Sequence, residues 1–189
     1  PSAIGYAEAS GIPFELGIIR NHYVGRTFIE PQQSIRELSV KLKHNANRIL
    51  VAGKRVVLID DSIVRGTTSI KIVRMMRDAG ATEVHLRVAS PPIKYPDFYG
   101  IDTPVKHQLL AANNSLDEMR DFIGVDSLAF LTVDGLYRAM GHEGGRDSKD
   151  PFYTDHCFTG DYPTKLRDLN REDDIRQPSL LSELGEEFV

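Results

Sequence analysis

The sequence has 189 residues, of which 41% are hydrophobic and 26% are charged, which suits one domain with a sizeable core and argues against wholesale disorder. Its formal net charge of −4 discourages a nucleic-acid or membrane-surface partner, and no apolar run approaches the roughly 20 residues that span a bilayer. The single cysteine, Cys157, cannot form an internal disulfide, so we expect a cytoplasmic protein.

The charge is unevenly distributed along the chain. Residues 20–55 contain eight basic and two acidic side chains, whereas residues 142–189 contain six basic and twelve acidic ones. The first segment offers an anion a strongly positive stretch, although a solvated charge run would have the same composition. The second is typical of an extension that wraps the surface or is partly disordered. We therefore divide the chain into a domain at 1–141 and an acidic carboxyl-terminal extension at 142–189.

The predicted elements of the domain are both helices and strands. Residues 55–59 form a continuous β-branched and aliphatic run, which is typical of a strand buried on both faces of a parallel sheet. In residues 67–79, Ile70, Val73 and Met76 recur at about one helical turn. In chain order we predict a helix at 3–10, a strand at 14–19, a helix at 34–43, a strand at 55–59, a helix at 67–79, a strand at 83–89, helices at 105–112 and 116–123, a strand at 127–131 and a helix at 133–140.

The strand at 55–59, the helix at 67–79 and the strand at 83–89 follow one another closely in the chain. Such a βαβ unit implies parallel strand pairing with a right-handed crossover. We therefore expect an α/β fold with a mainly parallel, twisted sheet flanked by helices. Open sheets of this kind bind ligands beyond the carboxyl ends of their strands, which places a candidate site after residue 59.

The loop after residue 59 contains three kinds of ligand-binding group. Asp60 and Asp61 are paired carboxylates, suited to ribose hydroxyls or a hydrated Mg²⁺. Gly66 lets the backbone approach an anion, and the hydroxyl residues at 67–69 begin a helix, whose free N–H groups bind phosphate. Carboxylates followed by a phosphate cradle predict a sugar phosphate ligand. An acidic turn followed by ordinary Ser/Thr capping explains each part alone, but the complete order of parts is less common.

The stretch V-V-L-I-D-D-S-I-V-R-G-T-T-S at 56–69 resembles the 5-phosphoribosyl-1-diphosphate (PRPP) signature of type I phosphoribosyltransferases. The rival nucleotide loops, G-x-x-x-x-G-K-[ST] and G-x-G-x-x-G, do not occur in the sequence. Longer matches identify the chain as a member of the glutamine PRPP amidotransferase (amidophosphoribosyltransferase) family. They are Y-V-G-R-T-F-I-E-P at 23–31, K-H-N-A-N-R at 43–48, Y-G-I-D-T-P at 99–104, I-G-V-D-S-L-A-F at 123–130 and C-F-T-G-D-Y-P-T at 157–164.

The resemblance implies an activity and partners. Family members are pentosyltransferases, a class of glycosyltransferase, of de novo purine biosynthesis. In them ammonia, released from glutamine by an amino-terminal domain, displaces diphosphate from Mg-PRPP to give 5-phosphoribosylamine. We expect that glutaminase domain and the first strand of the type I phosphoribosyltransferase sheet to lie before Pro1, so the chain alone should not use glutamine. The resemblance also suggests a homotetramer inhibited by purine nucleotides.

Two other functions remain open at this point. One is a non-catalytic regulator that senses PRPP through the same signature. It would need a DNA-binding or partner module, and no basic helix-turn-helix pattern is visible in the sequence. The other is a phosphoribosyltransferase with a free base as acceptor, which the long flanking matches disfavour.

The resemblance implies roles for individual residues. Asp60 and Asp61 would face the ribose hydroxyls and Mg²⁺ of bound PRPP, as catalytic residues and metal ligands. The basic segment before them would be a flexible loop that closes over PRPP, with Tyr23 in contact with the substrate. Arg26 and Lys43 would be catalytic contacts of the diphosphate. The 5-phosphate pocket would consist of Ser62, Arg65, Gly66, Thr67, Thr68 and Ser69.

One departure from the family concerns metal. Some members hold an iron–sulfur cluster with cysteines, one of them at the position of Asp97 and a pair just before the position of Cys157. Such a cluster needs about four thiolates, so we expect no iron–sulfur cluster in this chain. His156 beside Cys157 supplies two ligands, which do not complete a zinc shell, so a packed or surface pair is the favoured interpretation.

Overall fold

The computed structural model describes residues 1–20 and 44–166, and the predicted helix at 34–43 lies outside them. In these residues no helix is both long enough and apolar enough to cross a membrane. The described elements are α1 (Ser2–Ser10), β1 (Ile18–Arg20), β2 (His44–Ala46), α2 (Arg48–Val51), β3 (Arg55–Asp60), α3 (Thr67–Asp78), β4 (Glu83–Val88), a 3₁₀ turn (Lys106–Gln108), α4 (Leu110–Asn113), α5 (Leu116–Ile123), β5 (Ser127–Phe130), α6 (Val133–Ala139) and α7 (His156–Thr159).

The central sheet is parallel, as the βαβ pattern predicts, and its strand order is β3-β4-β5. Asp60 of β3 pairs with Val88 of β4 at the carboxyl end of the ladder. The middle strand β4 buries Val84, Leu86 and Val88 in alternation. The expectation that residues 55–59 are buried on both faces is wrong, because none of them is fully buried. Among the described residues β3 lies at the edge of this sheet, with β4 as its partner.

The hydrophobic core is formed by β4 together with α3 and α5. Helix α3 contributes Val73 and Met76, in agreement with the predicted spacing, and α5 contributes Met119 and Ile123. Each fully buried aliphatic or Met side chain stabilises the fold by about 1.5–3 kcal/mol relative to an exposed one. This packing fixes α3 against the sheet, and with it the loop that connects β3 to α3.

Two predicted elements differ from the structure. The strand expected at 14–19 is only β1, which pairs antiparallel with β2, a strand that the sequence did not predict. The helix expected at 105–112 is divided into the 3₁₀ turn and α4. The division occurs at Leu109, whose backbone is extended (φ −78°, ψ 119°) and whose side chain is fully buried. Burial of this side chain outweighs the local preference for one continuous helix.

Residues 142–166, the described part of the extension, pack on the domain. The guanidinium of Arg146 forms a buried ion pair with Asp155, and the Tyr137 hydroxyl donates a hydrogen bond to the same carboxylate at 2.8 Å. The Tyr162 hydroxyl donates to a backbone carbonyl in the loop after β4, also at 2.8 Å. The sequence allowed an extension that wraps the surface or one that is partly disordered, and residues 142–166 wrap the surface of the domain.

Candidate functional site

The loop between β3 and α3 lies at the carboxyl end of the parallel sheet. Asp60 is the last residue of β3, and its carbonyl accepts a hydrogen bond at 2.9 Å from the N–H of Ala89, just beyond β4. The ends of two neighbouring parallel strands thus meet at this loop. Ligands of open α/β sheets bind at such an edge, which is where the sequence places the candidate site.

The carboxylates of Asp60 and Asp61 turn back onto the loop backbone. The Asp61 N–H donates to Asp60 Oδ1 at 3.0 Å, and the Ser62 N–H donates to Asp61 Oδ1 at 2.8 Å. Within residues 1–20 and 44–166, neither carboxylate forms a salt bridge. The second oxygen of each carboxylate has no hydrogen bond within the same residues.

The electrostatics of this pair disfavour ionisation of Asp60. Burial is the largest cause that raises its pKa, because it removes water from the charged form. The hydrogen bond from the Asp61 N–H lowers the pKa, whereas the charge of the Asp61 carboxylate raises it further. A cation or a hydroxyl donor beside the two carboxylates would stabilise their ionised forms.

Gly66 stands at the N-cap of α3, where any side chain would be strained. Its φ is +76°, and a Cβ there would lie 2.8 Å from Cδ2 of Leu110 and 3.3 Å from Cε1 of Phe122. Both the left-handed backbone and the close packing therefore disfavour a side chain. Since glycine has no capping oxygen, no N-cap side chain occupies the first N–H groups of α3.

The other residues predicted for the phosphate pocket differ in their exposure and in their hydrogen-bond partners. Thr67 and Thr68 are exposed in the first turn of α3, whereas Ser69 is only 3% exposed. The guanidinium of Arg65 donates two hydrogen bonds to Oε1 of Gln108, at 2.8 and 3.2 Å. The structure thus brings the two threonines to the helix start and holds Arg65 against the 3₁₀ turn.

The 3₁₀ turn and α4 support the loop from outside it, which the sequence did not predict. The Leu110 N–H donates to the carbonyl of Val64 at 2.8 Å, and the side chain of Leu110 packs where a Cβ of Gly66 would lie. Gln108 adds its contact with Arg65. The local signal for this support was Gly66 itself, because a glycine at a helix start is typical of close packing or a positive φ.

Three predicted substrate contacts, Tyr23, Arg26 and Lys43, lie outside the described residues. On either side of that segment, Arg20 of β1 and His44 of β2 are partners in the antiparallel ladder. Ile18 and Ala46, from the same two strands, pack against the hydrophobic core. The β1–β2 pair is therefore attached to the core that supports α3.

Residues 8–93 match the family described as the phosphoribosyl transferase domain. This range contains β3, the loop after it, α3 and β4. The fold and the loop together define a phosphoribosyltransferase domain of type I.

Comparison with curated relatives gives the particular family. The amidophosphoribosyltransferase of Rhizobium etli is 63% identical over 98% of this chain and 37% of its own length. The amidophosphoribosyltransferase of Bacillus subtilis is 55% identical over 87% of this chain and 34% of its own length. The chain thus spans about a third of the length of these relatives.

Solved structures agree with the curated relatives. The glutamine PRPP amidotransferase from B. subtilis, complexed with ADP and GMP, superposes with a TM-score of 0.75 at 54% identity. That match covers 88% of this chain and 36% of the other. An allosteric regulatory enzyme of purine biosynthesis superposes with a TM-score of 0.73 at 55% identity, covering 87% of this chain and 35% of that one. The chain belongs to the amidophosphoribosyltransferase family, which confirms the resemblance seen in its sequence.

Proposed function

We propose that the full-length protein transfers the phosphoribosyl group of PRPP to ammonia, and that this chain is its PRPP-binding part. The observation that carries the proposal is the loop between β3 and α3. There Asp60 and Asp61, which have no salt bridge among the described residues, precede a helix start without an N-cap side chain. Similarity to amidophosphoribosyltransferases over most of the chain supports the same reaction. Release of ammonia from glutamine by a separate glutaminase domain is part of the proposal.

The 5-phosphate binds at the start of α3 in this proposal. The first N–H groups of a helix and the positive end of its dipole attract an anion. The exposed hydroxyls of Thr67 and Thr68 add donors, whereas Ser69, being buried, contributes through its backbone N–H. Arg65 reaches the phosphate by leaving Gln108. The proposed pocket consists of Ser62, Arg65, Gly66, Thr67, Thr68 and Ser69.

Asp60 and Asp61 hold the ribose hydroxyls and a hydrated Mg²⁺ in this proposal. Carboxylate oxygens are ligands that Mg²⁺ prefers, and each residue has one oxygen without a described hydrogen bond. The pKa of Asp60 is raised mainly by burial and in lesser part by the charge of Asp61, and a bound cation would offset both effects. The donor set therefore fits this ion. When bound, Mg²⁺ supplies neutralisation of the negative charge on the diphosphate.

The proposed reaction is a displacement at C1 of the ribose. The bond from the ammonia nitrogen to C1 forms as the bond from C1 to the diphosphate oxygen breaks, and the nitrogen then loses a proton. Positive charge that develops on the sugar ring is stabilised by Asp60 and Asp61, so no covalent nucleophile is needed. We place Tyr23, Arg26 and Lys43 on a segment that closes over PRPP, where the two cations bind the leaving diphosphate and closure excludes water.

Regulation and assembly form a further part of the proposal. The B. subtilis relative was solved with ADP and GMP, and the other structural neighbour is described as an allosteric regulatory enzyme. We infer that purine nucleotides inhibit the full-length protein and that it is a homotetramer. Residues 142–189 form an extension to the domain at 1–141 in this view.

The test is ammonia-dependent release of diphosphate from Mg-PRPP by the full-length protein. A double variant, Asp60→Asn with Asp61→Asn, should lose most of the activity because it removes the charge that stabilises the ring and the metal. The matched control is Asp78→Asn, which removes an exposed carboxylate at the opposite end of α3. The control should retain the activity of the unaltered protein.

Two outcomes would contradict the proposed catalysis. Unchanged diphosphate release by the double variant would remove Asp60 and Asp61 from the site. Tight binding of PRPP by the unaltered protein without any release of diphosphate would instead favour the regulator that senses PRPP. Isothermal titration with PRPP, carried out beside the activity measurement, separates these two results.

A further inference from the structure

A row of polar side chains lies on the face of the central sheet that points away from α3 and α5. Alternate residues of β4 are buried in the core, so Glu83, His85 and Arg87 lie on the opposite face. Strands of a parallel sheet are usually apolar on both faces, and a departure from such a rule commonly marks a functional site. Glu83 begins β4, so the row starts at the amino end of the sheet, whereas the proposed PRPP pocket lies at the carboxyl end.

A chain of hydrogen bonds joins this row to the neighbouring strand β5. Ser127, the first residue of β5, is the partner of His85 in the parallel ladder. Its Oγ lies 2.8 Å from Nδ1 of His85, and Nε2 of the same ring lies 2.8 Å from Oε2 of Glu83. A hydroxyl, an imidazole and a carboxylate, each within hydrogen-bond distance of the next, form the arrangement by which enzymes activate a serine.

The carboxylate determines which ring nitrogen of His85 carries the proton. Glu83 accepts a hydrogen bond from Nε of Arg55 at 2.6 Å, and this bond, together with the one from His85, lowers the pKa of Glu83. An ionised carboxylate can only accept hydrogen bonds, so in the neutral imidazole Nε2 donates to Glu83. Nδ1 then accepts from the Ser127 hydroxyl, as a general base for that hydroxyl must. The ring is used in the opposite sense from the serine protease triad, in which Nε2 faces the serine.

Arg87 places a positive charge beside Ser127. Its Nη1 group donates to the backbone carbonyl of Leu86 at 2.9 Å and to that of Ser127 at 3.4 Å. Its Nε and Nη2 groups make no hydrogen bond within residues 1–20 and 44–166. Negative charge that develops on a group bonded to Ser127 Oγ would therefore have unused N–H donors nearby. The described residues leave this row partly open to solvent, because Ser127 and Arg87 are half-buried and the His85 side chain is 20% exposed.

We propose that Ser127 is a nucleophile that takes the acyl group of a small activated ester, with His85 as its general base. Ser127 Oγ bonds to the acyl carbon while its proton passes to Nδ1 of His85. The bond from the acyl carbon to the leaving oxygen then breaks, and the proton moves from Nδ1 to that oxygen. The products are acylated Ser127 and an alcohol.

The other two members of the row assist this step. Glu83 is a positioning residue, because it holds the imidazole of His85 through Nε2 and stabilises the positive charge that the ring carries during the transfer. Arg87 stabilises the negative charge that develops on the acyl oxygen. The site shares no residue with the proposed PRPP pocket, so the two proposals stand or fall separately.

The test is labelling of the full-length protein with a fluorophosphonate probe, which reacts with activated serines, followed by peptide mass spectrometry. We expect the unaltered protein to carry the probe on Ser127. The variant Ser127→Ala should lose that label, whereas Ser148→Ala, which removes an exposed serine, should keep it. His85→Gln should slow labelling of Ser127 about 100-fold or more, as expected for loss of a general base. Its matched control, His107→Gln, removes an exposed histidine and should react at the rate of the unaltered protein.

Two further measurements separate activation from packing. Glu83→Gln should lower the maximal rate of labelling but leave the probe concentration that gives half of this rate unchanged, because Glu83 acts through His85. Incubation of the unaltered protein with p-nitrophenyl acetate should release p-nitrophenol and leave an acetyl group on Ser127.

Mapping of the probe in the unaltered protein decides the proposal even where a variant fails to fold. Absence of the probe from Ser127 would overturn the proposal and leave the row as a structural link between β4 and β5. Labelling of His85→Gln at the rate of the unaltered protein would also overturn it, because the hydroxyl would then react without its base.

Discussion

Asp60, at the carboxyl end of β3, and Asp155, at the start of α7, are carboxylates partly or wholly removed from water. Burial raises the pKa of Asp60, and the neighbouring Asp61 charge adds to the shift. Burial would likewise raise the pKa of Asp155, but hydrogen bonds from Arg146 and Tyr137 outweigh it and lower the pKa. Burial opposes ionisation in both regions, but the pKa is raised for Asp60 and lowered for Asp155.

The difference separates a carboxylate that serves structure from one that is available to a ligand. Asp155 has an arginine, a tyrosine and a threonine as partners, so its oxygens are already used. Asp60 has a backbone N–H and a second carboxylate beside it, so a cation or sugar hydroxyl would improve its surroundings. Active sites commonly carry such unfavourable arrangements at the expense of stability. Four predictions test this contrast.

The largest expected effect comes from removing the partner of Asp155. Arg146→Met leaves a carboxylate with a side chain only 3% exposed without its cation, and we expect a loss of about 3–5 kcal/mol in the free energy of unfolding. The control is Arg120→Met, since Arg120 pairs with Asp117, whose side chain is 81% exposed. That variant should lose much less stability, because solvent screens the exposed pair. Urea denaturation measures both, and equal losses would contradict the contrast.

A second prediction concerns the support of the loop. Gly66→Ala forces a side chain into a left-handed backbone, at about 1–3 kcal/mol, and into overlap with Leu110. Gly53→Ala is the matched control, because Gly53 has a similar φ of +73° but open space around its Cβ position. We expect Gly66→Ala to be the more destabilising of the two in urea denaturation. Equal effects would mean that packing by Leu110 does not constrain the loop.

A third prediction is that removing the charge of Asp60 stabilises the fold. Asp60→Asn should raise the free energy of unfolding by about 0.5–1 kcal/mol at pH 7 while lowering the proposed activity. The pKa of Asp60 is higher in the folded protein than its ordinary value of 3.8, so ionised Asp60 lowers the free energy of unfolding. This loss is complete above the raised pKa and disappears as the pH falls below 3.8. The advantage of the variant should therefore vanish at low pH. Asp78→Asn should show no such gain, and destabilisation by Asp60→Asn would indicate that Asp60 is fully paired.

The smallest expected effect on stability comes from Arg65. Its contact with Gln108 is exposed, so Arg65→Met should change the free energy of unfolding by less than about 0.5 kcal/mol. If Arg65 leaves Gln108 to bind the 5-phosphate, the same variant should raise the KM for PRPP. Gln108→Ala, which frees the guanidinium, should not raise it. An unchanged KM in Arg65→Met would remove Arg65 from the pocket.

Local patterns in the sequence were sufficient for most of the elements that carry the proposed site. The helices at α1, α3, α5 and α6 and the strands β3, β4 and β5 lie within one or two residues of the predicted bounds. The order of carboxylates, glycine and hydroxyls in the loop was also readable, because these residues are neighbours in the chain. Periodicity and turn chemistry act over a few residues, which is why they could be read without a structure.

The sequence by itself thus determined the α/β class, the βαβ unit and the contents of the β3–α3 loop. Only the tertiary structure decided that Leu110 packs against Gly66, that Arg146 neutralises Asp155, and that Asp97 meets His156 and Cys157. The first and the last of these contacts join segments far apart in the chain, and the Arg146–Asp155 pair joins residues nine positions apart within the extension. All of them are selected by how the helices and the extension pack on the sheet. No short-range pattern specifies such partners, because their proximity is a result of folding the whole domain.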